Sequence, residues 1–370
     1  MSELGHSFSS GLCLLVLAAA AMAQEPPPPD EAHGMEAQLV MPEHEDSTAA
    51  YGSEDFVVSI HGFLDLKYED SQDKRSSFDL HHANLFIEGS IDDELEAVIE
   101  IEYEHGSERI ELDQTEILYR PAGSSLTLAA GRFYAPFGIE RFTWYPPLNP
   151  MISRPAVFRH VVPGNWYETG LRADYRRGLG EELELRGELA VTNGLGSDAR
   201  TDVRAARQFR DNNSNRALIG RLSGDIGEKL TLGVSGATMK YDERNRISFA
   251  GVDAEYREDR LLLRGEWVRS RVEDPQGAAG DFSREGFYVL GSYRLWADGD
   301  SHLDLAGRIE TIDRNKSVDS NTDLSSYAIG LGLAPRSNLG LKLEYQWNAA
   351  RHGLSPGSTN TAVLQVVLDF

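Results

Sequence analysis

The sequence predicts an all-β protein, a transmembrane antiparallel β-barrel of about 16 strands with short periplasmic turns and longer outer loops. Three observations carry this. From Phe56 onward, runs of roughly ten residues alternate apolar and polar side chains, the period of two that sends neighbours to opposite faces of a strand. Short and long connections alternate between the runs. The final run, Thr361 to Phe370, puts Ala362, Leu364, Val366, Leu368 and Phe370 on one apolar face and Thr361, Val363, Gln365, Val367 and Asp369 on a mixed one. That division suits a strand with lipid on one side and water on the other.

Taken in order, the chain begins with an expected export signal at 1–23. Leu12 to Met22 is an apolar core, and Ala21-Met22-Ala23 fits a cleavage site before Gln24, although Met1 to Gly11 lacks Lys and Arg. Cys13 is the only cysteine, so cleavage leaves no disulfide, no thiolate and no Cys-ligated metal. Residues 24–55 hold the run Pro26 to Pro29, nine acids and no Lys or Arg, and read as an acidic, flexible periplasmic segment. The whole chain has 370 residues, 41% hydrophobic and 26% charged, with a formal charge of −23, which argues against a nucleic-acid partner. Its mean hydropathy is −0.39. Past the signal no apolar run approaches the roughly 20 residues of a membrane helix, but barrel strands, being half apolar, escape that criterion.

The barrel occupies 56–370. Strands are expected near 56–68, 77–90, 94–105, 109–120, 124–133, 166–177, 181–193, 215–226, 229–241, 246–258, 260–273, 285–297, 301–313, 324–334, 338–349 and 360–370. Tight joins fall at Asp92-Asp93, Ala122-Gly123, Gly178 to Gly180, Gly227-Glu228, Glu258-Asp259, Asp298 to Asp300 and Pro335 to Ser337. Between them lie longer joins at 69–76, 134–165, 194–214, 274–284, 314–323 and 350–359. Two joins, near Gly106 and Asp242 to Asn245, are short where length is allowed. A soluble sandwich has no reason to keep this parity, whereas a barrel with tight turns at one rim does.

The faces agree. Leu339, Leu341, Leu343, Tyr345 and Trp347 alternate with Lys342, Glu344 and Gln346, and Leu95, Ala97, Ile99, Ile101 and Tyr103 with Glu96, Val98, Glu100, Glu102 and Glu104. Charges so regular cannot sit in a dry core, but they can face a wet lumen. Tyr103, Tyr175, Tyr345 and Trp347 sit where aromatic girdles belong. Strands 109–120 and 124–133 break phase, with Arg132 falling on the apolar side; a bulge at Gly131 is one remedy and a different strand boundary is another. A ring of 16 strands encloses a water-filled channel rather than a packed interior.

The join 134–165 is the longest. It holds Pro136, Pro146, Pro147, Pro150, Pro155 and Pro163, several aromatic residues, and Arg141, Arg154, Arg159 and His160 against the single acid Glu140. Such a stiff, irregular segment within a compact fold is usually functional. Gly131-Arg132-Phe133-Tyr134-Ala135-Pro136-Phe137-Gly138-Ile139-Glu140, with Arg154-Pro155-Ala156 and Trp166 to Gly170 after it, resembles the phosphate-selective porin O and P family. The closing strand, ending on Phe370, is similar to the last strand of outer-membrane barrels, where a terminal Phe serves assembly.

The resemblance implies a 16-stranded, trimeric channel in the outer membrane of a Gram-negative bacterium, passing small hydrophilic solutes, anions such as phosphate among them. Its partners are then the bilayer, lipopolysaccharide and the solute. A long loop folded into the barrel would set the constriction. The candidate residues for it are Arg141, Arg154, Arg159 and His160, with Arg172, Arg186 and Arg308 on the facing wall; Arg offers a planar fork to phosphate or carboxylate. The same arginines could instead pair with wall acids or reach lipopolysaccharide phosphates. Wall acids such as Glu96, Glu100 and Glu102 weigh against anion preference.

Two other function classes stay open: an outer-membrane lipid or lipopolysaccharide hydrolase, and a structural or adhesive barrel with a blocked pore. No local motif assembles a Ser–His–Asp set, so no enzyme and no cofactor are expected. Asp313, Asn315, Ser317, Asp319, Asn321 and Asp323 alternate oxygen ligands, but Val318 and Leu324 stand where an EF-hand needs Gly and Glu, so a solvated loop is expected. His81 and His82 are adjacent in a strand, face opposite sides and should not chelate together. No metal site is expected.

Overall fold

Alternation closes into a ring. The computed structural model describes residues 51–53, 56–72, 74–107, 109–180, 182–277, 280–317, 323–351 and 359–370. The expected signal and nearly all of 24–55 lie outside them, as do Asp319 and Asn321. Among the described residues, 16 long strands follow one another around the ring. They are β1 (Phe56–Ser71), β2 (Ser77–Ser90), β3 (Leu95–Glu104), β4 (Arg109–Tyr119), β5 (Leu126–Tyr134), β6 (Tyr167–Gly178), β7 (Leu183–Thr192) and β8 (Ala217–Ile226), then β9 (Leu230–Lys240), β10 (Arg246–Glu258), β11 (Leu261–Val272), β12 (Phe282–Asp298), β13 (Ser301–Asp313), β14 (Asp323–Arg336), β15 (Leu339–Arg351) and β16 (Thr359–Asp369). A three-residue strand, Tyr51–Ser53, folds back on the start of β1.

Each strand pairs antiparallel with its chain neighbours, and β16 closes the ring on β1, from Thr361↔Ser71 to Asp369↔Phe63. Gly62 and Phe370 finish the seam by exchanging backbone hydrogen bonds of 2.7 and 2.9 Å. No strand edge is left open along this seam, which is what a bilayer requires of a spanning sheet.

The outer face is apolar. Leu364, Val366, Leu343, Leu171, Ile309 and Phe370 are exposed, while Val363, Gln365, Val367 and Asp369 on the other face of β16 are buried. Tyr103, Tyr175 and Trp347 are exposed on the same outer face, and Trp347 packs edge-on to Tyr345 at 4.6 Å.

The phase problem at Arg132 has a different remedy from a bulge at Gly131. Register runs unbroken there, with Glu116↔Gly131 and Thr115↔Arg132. The shift falls one strand earlier, where Ile99↔Thr115 is followed by Ile101↔Leu112, so that Asp113 and Gln114 are both buried. Gly131 sits at φ 140°, and a Cβ there would lie 2.2 Å from the Thr115 carbonyl oxygen, so the position admits only glycine. Arg132 is drawn in over the Tyr167 and Phe209 rings.

A second bulge corrects the expectation for His81 and His82. Asp65 pairs with His82 and Leu66 with Leu80, leaving His81 as an extra residue on β2. Two residues then oppose one, the strict alternation fails, and the two imidazoles come together.

Candidate functional site

Residues 135–166, between β5 and β6, fold into the ring. A proline-rich segment cannot satisfy its own backbone groups, so something else must. The inner wall does. Glu344 on β15 accepts from the Ile152 and Ser153 amides at 2.5 and 3.0 Å, and Glu310 on β13 from the Ala156 amide at 2.5 Å. Arg308 donates to the Ser153 carbonyl at 2.6 Å and Lys342 to the Pro146 carbonyl at 2.5 Å. Carboxylates thus take the loop's N–H groups and cations its C=O groups.

Apolar contacts complete the docking. The inner wall of β8–β14 carries Ile219, Phe249, Val268, Tyr288 and Ile312, buried beneath Phe137, Met151, Val157 and Phe158 of the loop. Wall glycines receive these side chains: a Cβ at Gly251 would stand 3.1 Å from Phe137, one at Gly286 2.7 Å from Val157, and one at Gly330 3.2 Å from Met151. The join between β7 and β8 packs on the same cluster through Leu195, Ala199 and Ala206, and Arg284 donates to the Ala199 and Arg200 carbonyls at 3.0 and 2.5 Å.

The adjoining sector, β6–β8, is polar. Arg172, Asp174, Glu184, Arg186, Glu188 and Asp225 are half-buried there.

Five of the seven expected constriction residues have carboxylate partners. Arg141 pairs with Glu188 and Arg154 with Glu140, the latter through two bonds of 2.6 Å with the guanidinium 4.7 Å over the Trp144 ring. Arg172 meets Glu116 at 3.2 Å and Asp174 at 2.9 Å. Arg186 lies 2.7 Å from Glu184 and 3.0 Å from Asp225, and Arg308 lies 3.4 Å from Glu310. Arg159 and His160, on the helical turn Val157–His160, are different. Arg159 is exposed and has no ion partner among the described residues. His160 Nε2 lies 3.2 Å from Arg314 Nη2. Burial, then Arg314, Arg159 and Arg204, push its pKa down to about 3.

Arg204 and Arg314 therefore join Arg159 in a cationic cluster that the sequence reading did not single out. Arg314 continues the inward phase of Arg308, Glu310 and Ile312, so periodicity alone could have found it. The acids that weighed against an anionic solute are withdrawn from it: Glu96 meets Arg120 at 2.6 Å, while Glu100 and Glu102 are buried, the former beneath the Tyr145 and Tyr167 hydroxyls at 2.9 and 3.1 Å. Among the described residues, two groups of side chains have ligand atoms close enough to hold a metal ion, Asp65 with His81 and His82, and His82 with Glu102 and Glu104.

Comparison with known proteins agrees with this geometry. The profile of the family described as phosphate-selective porin O and P matches residues 170–370. An uncharacterized protein of Aquifex aeolicus (strain VF5) is 24% identical over 333 residues, covering 78% of this chain and 75% of its own. Among solved structures, OmpT, an outer membrane protein of Vibrio cholerae, superposes with a TM-score of 0.61 at 10% identity, over 87% of this chain and 99% of its own. It has also been solved in a trimer form. The anion-selective porin from Comamonas acidovorans gives 0.60 at 15% identity, over 85% and 100%.

Proposed function

The chain belongs to the phosphate-selective porin O and P family, and from that premise we propose that it is an outer-membrane channel for passive diffusion of small hydrophilic anions, phosphate among them. The observation that carries the anion reading is Arg159, exposed within the ring of strands and with no carboxylate in salt-bridge contact among the described residues, in a cluster where Arg159, Arg204 and Arg314 outnumber the acids Asp202 and Glu310. Fixed positive charge without a paired acid attracts anions into a narrow aqueous zone and repels cations. Arg141, Arg154, Arg172, Arg186 and Arg308 serve chiefly to hold the loop and wall in place, because their charge is already matched. Diffusion of this kind uses no catalytic residue and no cofactor.

The wider setting follows the same premise: export by the 1–23 signal, insertion beside lipopolysaccharide in a Gram-negative outer membrane, and assembly as a homotrimer. Planar-bilayer recording in a salt gradient tests the central claim. Discrete conductance steps are expected, with a reversal potential of the anion-selective sign. Arg159→Ala should move it toward zero and Arg159→Glu further. Absence of steps would favour a barrel blocked by its loop, and an unchanged reversal potential in Arg159→Glu would remove the anion reading.

A further inference from the structure

The bulge on β2 brings His81 and His82 to one point beside Asp65 of β1. The two Nδ1 atoms lie 2.5 Å apart. Asp65 Oδ1 lies 2.9 Å from that of His82 and 3.7 Å from that of His81. Three atoms with lone pairs converge, and a single proton can bridge only one pair of them. A divalent cation satisfies all three. The three separations bracket the roughly 3.3 Å between ligand atoms around a tetrahedral ion with bonds near 2.05 Å.

We propose that Asp65, His81 and His82 form a binding site for a divalent transition-metal ion of the zinc class on the lumenal wall. Nothing in the channel reading requires it. Two nitrogens and one carboxylate oxygen suit zinc, nickel or copper, and do not suit calcium or magnesium, which take oxygen ligands.

The surroundings match what such a site needs outside its ligands. Gln365 Nε2 donates to Asp65 Oδ2 at 2.6 Å and so fixes the carboxylate. His82 presents its other nitrogen, Nε2, to Glu102 Oε1 at 3.7 Å, and that buried oxygen has no hydrogen-bond partner. A carboxylate behind the distal nitrogen selects the tautomer whose Nδ1 binds metal. Trp144 of the inserted loop packs edge-on to the His82 ring at 5.7 Å and shields the site. The His81 side chain is 23% exposed, which gives an ion its route from the lumen. Lys67 opposes binding: its Nζ lies 3.3 Å from His81 Nε2, where the loaded tautomer carries a proton, so it must turn away.

Calorimetric titration of the purified full chain in detergent, using zinc chloride alone and then calcium chloride, tests this. One zinc ion per chain and no calcium are expected. His81→Gln, a change at a partly exposed side chain, should weaken zinc binding at least about tenfold, with folding checked by circular dichroism. Lys67→Gln should tighten binding, and His302→Ala, outside the cluster, should leave it unchanged. No zinc uptake by the native chain, unchanged affinity in His81→Gln, or weaker binding in Lys67→Gln would each overturn the proposal. The readout is free of any current, so it stands or falls apart from the channel reading.

Discussion

Arg159 and His160 are neighbours on one helical turn but differ in charge at every physiological pH. An imidazole in solution titrates near 6.5, whereas burial and then the cations Arg314, Arg159 and Arg204 bring His160 to about 3. The neutral ring accepts a hydrogen bond from Arg314 at 3.2 Å, which an imidazolium could not do. The selectivity contributed here should accordingly stay flat from pH 8 to pH 5, and His160→Gln should leave the reversal potential unchanged over that range. The unfolded chain protonates this histidine first as pH falls, so the folded state loses stability from the unfolded value of 6.5 down toward 3. Equilibrium unfolding of His160→Gln in detergent should show a shallower loss across that window. A change in native selectivity between pH 8 and pH 5 that disappears in His160→Gln would contradict the neutral assignment.

At the scale of elements, the strands were legible because their information is local: a period of two and the length of each join appear within a dozen residues. The placement of the long loop was less legible. Its prolines and aromatics mark it as special, but its anchors, Glu310 and Glu344, stand 154 and 192 residues away from the amides they receive. On the sequence they look like any lumenal acid. The bulge at His81-His82 leaves the strand's pattern plausible and shows only in the partner's register, whereas the one at Asp113-Gln114 did disturb the phase but could not be placed without knowing which residues pair. Glu344 is the stronger test of the loop. It takes two backbone amides and the Ser153 hydroxyl, and Glu344→Ala leaves those donors without an acceptor inside the ring. A hydrogen bond to a charged group contributes about 1.5–3 kcal/mol, so the loop's docked state should weaken by at least that much. Hydrogen exchange should rise for residues 150–158 while the β-wall stays protected, and channel current should become noisier or larger. Unaltered exchange in that segment would show that the apolar sockets at Gly251, Gly286 and Gly330 hold the loop unaided.

The whole molecule joins three environments through one sheet: an apolar outer face, an inner sector on β8–β14 filled by inserted loops, and a polar inner sector on β6–β8. A hydropathy scan averages the first against the others, which is why a mean of −0.39 coexists with a spanning barrel. The distinction can be tested by placing one charge on either face of the wall. Leu364, at the middle of β16, is 51% exposed on the outer face and pairs with Leu343 of β15. Gln346, a few residues along β15, turns inward, is half-buried and donates to Glu344 at 2.8 Å. If the outer face meets hydrocarbon, Leu364→Lys should cost about 2–4 kcal/mol, the penalty for Lys or Arg near a bilayer midplane. Gln346→Lys puts the same ammonium beside the Glu344 carboxylate on the polar face and should cost less. Reversible unfolding in lipid vesicles would measure both. Equal costs would mean that the inner face tolerates charge no better than the outer one, and the reading of a polar lumen would fall with it; a large cost at Leu364 alone would fix which face meets lipid.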